Sequence, residues 1–293
     1  MTSVATQAPA QPLVVKPRAH PTRAVRRSLL YVALAVGAVT TLFPFLWMVS
    51  TSLKPDLAVF QTPPQLIPKP FVPANYRNVA TIFPIWRFLF NSCLVAFFST
   101  TMQVLTSAMA AYGFTRFTFR GRDALFVVYL ATMMVPFQVI VVPLFVEMRY
   151  LHLVNTYPAL VLPTIASAFG TFMLRQAIMQ LPRELEEAAF VDGAGHFTVF
   201  FKIVLPLAKP SLVTFGILSF MSSWNSFLWP FVVTNSTRLM TLPVGLANLQ
   251  GEHLTQWNLV MAGTTISVIP IILVYLVSQR HIVNGFVLSG VKG

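Results

Sequence analysis

The sequence predicts an all-α protein that crosses a membrane six times. Three observations carry that reading. Of 293 residues, 56% are hydrophobic and 10% are charged, against roughly 25% charged in soluble domains. The apolar residues gather into long runs nearly free of charge, each long enough to cross about 30 Å of hydrocarbon. The basic residues behind the net charge of +12 stand between those runs.

Residues 1–27 are rich in Pro, Ala and Thr and carry Lys16, Arg18, Arg23, Arg26 and Arg27. That is the composition of a disordered basic tail. The apolar run at about 28–53 is too long for the core of a cleaved secretory signal and reads as a retained first span, with Pro44 as a possible bend point. The loop at 54–87 holds prolines at 55, 63, 64, 68, 70, 73 and 84. Proline at that density predicts an extended path and no helix. Spans two to four follow at about 88–114, 124–146 and 158–179, and spans five and six at about 207–234 and 259–279. Residues 28–293 therefore read as one transmembrane domain.

The exception to the apolar pattern is Glu184 to Pro210. Four of the chain's eight acidic residues (Glu184, Glu186, Glu187 and Asp192) fall near its start, and the bilayer core does not tolerate such a cluster. Leu185, Ala188 and Ala189 recur at helical spacing and predict a short helix over 184–191 with one apolar face. Asp192-Gly193 is a turn signal, and Gly195 adds freedom. Phe197, Phe200 and Phe201 form a second apolar cluster on a second short helix, and Pro206 and Pro210 mark the return to the membrane. Both helices carry apolar residues that need a cover.

Orientation follows from the placement of Lys and Arg. With the N-terminus inside, the inner segments hold the tail residues, Arg116, Arg120, Arg122, Arg175, Arg183, Lys202, Lys209, Arg280 and Lys292. The outer loops hold Lys54, Lys69, Arg77, Arg87, Arg149 and Arg238. The inner surplus puts both termini and the acidic segment in the cytoplasm of a cell-membrane protein. The bias explains the basic charge as membrane orientation and not as nucleic-acid binding.

Glu187-Ala188-Ala189, Asp192-Gly193-Ala194, Phe200, Ile203, Leu205-Pro206 and Pro210 resemble the EAA loop of ABC importer permeases. Asn91-Ser92, Tyr112-Gly113-Phe114 with Arg116, Phe119-Arg120-Gly121-Arg122, Met134-Val135-Pro136, Trp224-Asn225 and Thr241-Leu242-Pro243 are similar to the carbohydrate branch. So is the C-terminus from Gln279-Arg280 to Gly293, which resembles the maltose and glycerol-3-phosphate type. The resemblance runs from about Ser28 to the end. It implies a coupling helix that docks on a cytoplasmic ATPase through Glu187, Ala188, Ala189, Asp192, Gly193, Ala194 and Phe200. In that reading Glu187 makes a polar contact with the ATPase, and Gly193 allows a turn or a close approach. The implied partners are a second permease subunit, two copies of a P-loop ATPase that bind the ATP and magnesium, and an extracytoplasmic solute-binding protein.

The chain has no G-x-x-x-x-G-K-[ST] run and no G-x-S-x-G elbow, so phosphate cradling and a serine nucleophile find no motif here. His20, His152, His196, His253 and His281 lack metal-ligand spacing. Cys93 is the one cysteine, so no intrachain disulfide forms. Acids are almost absent from the spans, against a proton- or sodium-coupled carrier. The reading is thus a transporter subunit and not an enzyme, with no cofactor of its own.

Polar side chains inside the spans mark either a path or interhelical glue. Asn91, Gln103, Gln138 and Asn225 qualify. Gln138 between Pro136 and Pro143, and Asn225 beside Trp224, are the substrate-path candidates, because amides pair with sugar hydroxyls and ring faces cover C–H patches. The expected cargo is a mono- or oligosaccharide. Glycerol-3-phosphate or a related phosphodiester is the alternative, with Arg175 as its nearest cation. A secondary carrier independent of ATP is the competing class.

Overall fold

A computed structural model of the chain describes residues 21–250 and 255–290, with side chains over 27–250 and 255–279. Every regular element among the described residues is a helix or helical turn. The chain divides into two compact units, 1–47 and 48–293.

The first unit holds most of α1 (Pro21–Ser52). Proline suits a first helical position, where its missing N–H is no loss. Residues 22–27, expected in the tail, are therefore helical, and residues 1–20 lie outside the described residues. The stretch Arg27–Ser52 has a mean hydropathy of 2.1 and is long enough to cross a bilayer. Thr40 and Thr41 donate their hydroxyls to the Val36 and Gly37 carbonyls at 2.8 and 2.9 Å, which keeps those groups satisfied in hydrocarbon.

In the second unit the proline-rich segment is pinned at both ends. The Val72 N–H donates to the Leu53 carbonyl at 2.8 Å. Asn75 Nδ2 bridges the Ser52 and Lys54 carbonyls at 2.8 Å each. The loop expected over 54–87 is interrupted by a helix, α2 (Ala74–Ile82). Pro73 is the last proline before it, and Asn75 and Val79, one turn apart, are its buried face.

The remaining helices are α3 (Ile85–Arg116), α4 (Arg122–Ala131), α5 (Phe137–Tyr150), α6 (Tyr157–Val161), α7 (Ala168–Met179), α8 (Glu184–Val191), α9 (His196–Val199), α10 (Leu205–Leu207), α11 (Lys209–Trp224), α12 (Leu228–Val233), α13 (Leu242–Asn248) and α14 (Trp257–Gly290). A π-helical turn, Phe200–Val204, joins α9 to α10. α13, like α2, lies in what reads from the sequence as loop.

Among the described residues, three helical stretches are each long and apolar enough to cross a membrane: Arg27–Ser52, Ile85–Arg116 and Trp257–Gln279. Six spans result if each of three bent pairs counts as one. Spans three and four are therefore not the continuous rods the sequence suggests, and the third bend falls where span five begins. Arg122–Met134 meets Phe137–Tyr150 at 98°, Tyr157–Thr164 meets Ala168–Met179 at 49°, and His196–Leu207 meets Lys209–Trp224 at 80°. A proline stands at or near each break (Pro136, Pro163, Pro206), where a missing N–H and ring clash end helical propagation. Span five also stops at Trp224, and Asn225 to Phe227 turn the chain before α12. Pro143 and Pro270 lie inside helices without ending them.

Three apolar clusters hold the second unit. One joins α3, α7, the π turn and α11 through Tyr112, Leu174, Val204 and Phe215. A second joins α2, α3, α11, α13 and α14 through Val79, Phe88, Trp224 and Ala262. A third joins α3, α5, α6 and α12 through Val95, Val141, Leu160 and Trp229. The approach of α7 to α11 is so close that a Cβ on Gly170 would lie 2.1 Å from Phe215 Cζ.

Candidate functional site

The segment that follows α7 forms as its residue pattern dictates. α8 spans Glu184–Val191, with Glu184, Glu186 and Glu187 in its first turn, where acids favour the helix dipole. It ends in a Schellman motif. Gly193 adopts φ +83°, its N–H donates to the Phe190 carbonyl at 3.0 Å, and the Ala194 N–H donates to the Ala189 carbonyl at 2.9 Å. Those two bonds satisfy carbonyls that the helix end would leave bare. A Cβ on Gly193 would meet nothing within 4 Å. The glycine thus serves the turn, and no close approach within this chain requires it.

The faces of α8 are not those the spacing suggested. Glu186 is the buried residue of the helix, and Ala189 packs with Ala194 against the cluster that holds Tyr112 and Phe200. Leu185, Val191 and Phe197 are exposed, as are Glu184, Glu187, Ala188 and Asp192. Apolar and acidic side chains of α8 and α9 are therefore exposed together. Phe200, grouped with the docking residues in the sequence reading, lies inside: it is 3% exposed, with its ring 5.3 Å from that of Tyr112. His196 stacks edge-on against both Phe117 and Phe190, at 5.0 and 4.9 Å. Met109, Tyr112, Phe117, His196, Phe197 and Phe200 line an open pocket of about 310 Å³.

Glu186 is buried because it meets Arg116, the last residue of α3. Arg116 Nη2 lies 2.6 Å from Glu186 Oε1, and Nε donates to the same oxygen at 2.7 Å. Nη2 also donates to the Ile178 and Leu181 carbonyls at 3.1 and 3.2 Å, at the C-terminus of α7, where a cation is favoured. The sequence reading missed this pair. The available signal was an arginine closing an apolar span, together with a third acid in a short helix whose neighbours face water.

The path candidates separate. Trp224 is 3% exposed and donates its Nε1–H to the Ser267 carbonyl at 3.2 Å, so it ties α11 to α14. Asn91 is enclosed: its Nδ2 donates to the Arg238 and Met240 carbonyls at 2.9 and 2.8 Å, and its Oδ1 accepts from Tyr157 Oη at 2.7 Å. Gln103 Oε1 accepts from Ser219 Oγ at 2.7 Å. These three are interhelical glue. Gln138 and Asn225 differ, being exposed and standing at helix breaks. The Asn225 amide donates to the Met221 carbonyl at 2.8 Å. Phe137 packs edge-on against Trp229 at 6.4 Å, so α5, which carries Gln138, meets α12, which follows the Asn225 turn. Arg175 lies over the Phe126 ring at 4.4 Å, away from both breaks in sequence and engaged with α4.

A family model described as "Binding-protein-dependent transport system inner membrane component" matches residues 103–287. The chain belongs to this family. It is a multi-pass inner-membrane permease of a binding-protein-dependent ABC importer, a transporter subunit and not a catalyst. It is 35% identical to the arabinooligosaccharides transport system permease protein AraQ of Halalkalibacterium halodurans over 268 residues, 90% of this chain and 96% of that one. It is 36% identical to the sn-glycerol-3-phosphate transport system permease protein UgpE of Yersinia enterocolitica over 269 residues, 88% of this chain and 94% of that one. Its fold matches a chain in a crystal structure of a bacterial ABC transporter involved in the import of alginate, with a TM-score of 0.78 and 24% identity over 90% of this chain and 99% of that chain.

Proposed function

We propose that this permease forms half of a membrane path for a carbohydrate and is driven through α8 by a cytoplasmic ATPase. The observation that carries the reading is the outward face of α8 and α9. Leu185, Val191 and Phe197 are exposed at 47%, 88% and 73%, beside Glu184, Glu187 and Asp192. A surface that mixes apolar anchors with charge at one end of a rigid helix suits a partner protein better than water or lipid. Two copies of a P-loop ATPase would dock there and on a second permease, with ATP and magnesium held in the ATPases. An extracytoplasmic solute-binding protein would deliver cargo at the other end. Both termini would lie in the cytoplasm, as the Lys and Arg bias requires.

Gln138 and Asn225 support a neutral cargo. Each offers an exposed amide beside a helix break, and amides match sugar hydroxyls. The break-lining stretches 131–140 and 222–231 contain no arginine or lysine, whereas a phosphate dianion calls for one. This favours a sugar, in line with the AraQ relative, over the glycerol-3-phosphate of the UgpE relative.

Affinity capture of the tagged chain from its native membranes, followed by mass spectrometry, tests the assembly. Recovery of a P-loop ATPase and a second permease is expected. Uptake of labelled arabinotriose and of labelled glycerol-3-phosphate into vesicles holding the recovered complex then tests the cargo class. ATP-independent uptake by this chain alone would overturn the reading and make it a secondary carrier.

A further inference from the structure

α8 is joined to the rest of the chain by short links at both ends. Pro182 lies in the link from α7, and Gly193 and Gly195 lie in the link to α9. Ala189 also packs on the apolar cluster that holds Tyr112 and Phe200. The Arg116–Glu186 pair adds a polar, directional attachment. Both side chains are almost fully buried, at 8% and 6% exposure. The other ion pair among the described residues, Arg122–Asp123, joins sequence neighbours and is open to solvent. The guanidinium donates its Nε–H to one carboxylate oxygen, with Nη2 at ion-pair distance from the same oxygen, while Nη2 holds the end of α7 through two carbonyls. It thereby joins α3, α7 and α8.

α3 is unbroken over its 32 residues, and near its other end Asn91 grips the Arg238 and Met240 carbonyls. At 1.5 Å per residue the rod from Asn91 to Arg116 is about 37 Å long. We propose that Arg116 and Glu186 are the positioning pair that locks the angle of α8 to α3, so that movement of α8 reaches the far side of the membrane instead of dissipating at the Gly193 turn. Glu187, the next residue, is exposed and left free for the partner. Two adjacent acids thus divide the work: one transmits, the other docks. This rests on the proposal that α8 receives the ATPase.

The test reads transmission without needing the cargo. The full assembly is purified in nanodiscs with Cys93→Ser and a reporter Ser226→Cys at the break between α11 and α12. The rate of maleimide labelling is measured with and without ATP and vanadate, together with the amount of ATPase retained and its hydrolysis rate. With the native pair, ATP is expected to change the labelling rate by about fivefold or more, the scale of ordinary allosteric coupling. Glu186→Ala and Arg116→Leu should retain the ATPase and its hydrolysis while losing that response. Glu186→Gln, which still accepts the Nε–H, should restore part of it. An unchanged response in Glu186→Ala overturns the proposal. So does loss of the ATPase from both Glu186→Ala and Glu186→Gln, because the pair would then serve docking or folding. If the native chain recovers no ATPase, or does not respond to ATP, the proposed function itself fails.

Discussion

Gly193 offers a sharp test of the α8 turn. Its φ of +83° lies where an L-residue with a Cβ costs about 1–2 kcal/mol. No atom lies within 4 Å of the position a Cβ would take, so Gly193→Ala adds backbone strain and no clash. The two Schellman bonds, from Gly193 to Phe190 and from Ala194 to Ala189, hold only in that conformation. If the strain is relieved when the turn relaxes and must be restored on docking, ATPase affinity falls by about 5- to 30-fold, since about 1.4 kcal/mol is tenfold. Asparagine tolerates the left-handed region better than alanine, so Gly193→Asn should lie between wild type and Gly193→Ala. Proline, locked near φ −65°, should be worst. The assay is a titration of the purified ATPase against the permease in nanodiscs. Equal affinity for the alanine variant and wild type, or an asparagine variant weaker than alanine, would refute the reasoning.

Other substitutions probe the body. Gly170→Ala places a Cβ 2.1 Å from Phe215 Cζ and should destabilise by about 1–3 kcal/mol through overpacking; thermal unfolding in detergent reads this, and Phe215→Leu added to it should recover part of the loss. Asn91→Leu strips partners from the Arg238 and Met240 carbonyls and from Tyr157, at about 1–3 kcal/mol per buried group left unpaired, so the yield of folded chain should fall. Trp224→Phe keeps the packing on Phe220 and loses one hydrogen bond to Ser267, about 1 kcal/mol; uptake should persist with unchanged cargo preference, and a changed preference would return Trp224 to the path.

Much of the architecture was legible because it depends on local properties. Length and charge of apolar runs mark the spans, and the limits of α8, Glu184–Val191, coincide with the helix read from Leu185, Ala188 and Ala189. The Asp192-Gly193 turn was also legible, since the left-handed requirement names its residue. The inward face of α8 was not. A buried glutamate is intelligible only with its arginine, which stands 70 positions away, and single-sequence periodicity carries no such pairing. The bends failed for a related reason: hydropathy averages over a break, so 124–146 scores as one rod although Pro136 turns it through 98°. α2 was hidden by the prolines around it. The partners of Trp224 and Asn91 were not legible, because a polar group in a span looks the same in sequence whether it meets cargo or a carbonyl.

Phe197 on α9 and Phe200 at the start of the π-helical turn separate docking from anchoring. Phe200 is 3% exposed and Phe197 is 73% exposed, although both were read from the sequence as one apolar cluster. Phe200 packs against Tyr112 and Phe201 at 5.3 and 4.9 Å within the cluster that joins α3, α7 and α11. Phe200→Ala should therefore cost about 3–5 kcal/mol, lower the unfolding temperature and reduce the folded yield. The chain that does fold should still bind the ATPase, because Leu185, Glu187 and Val191 are untouched. Phe197→Ala should do the reverse, with unchanged unfolding and ATPase binding weakened by about tenfold or more if the ring is an interface anchor. Unfolding curves and ATPase titrations on the same two preparations decide the matter. The crossed pattern requires that one ring face the membrane body and the other the partner. If Phe200→Ala unfolds like wild type yet releases the ATPase, the assignment of the buried face is wrong, and the π-helical turn rather than α8 is the surface that docks.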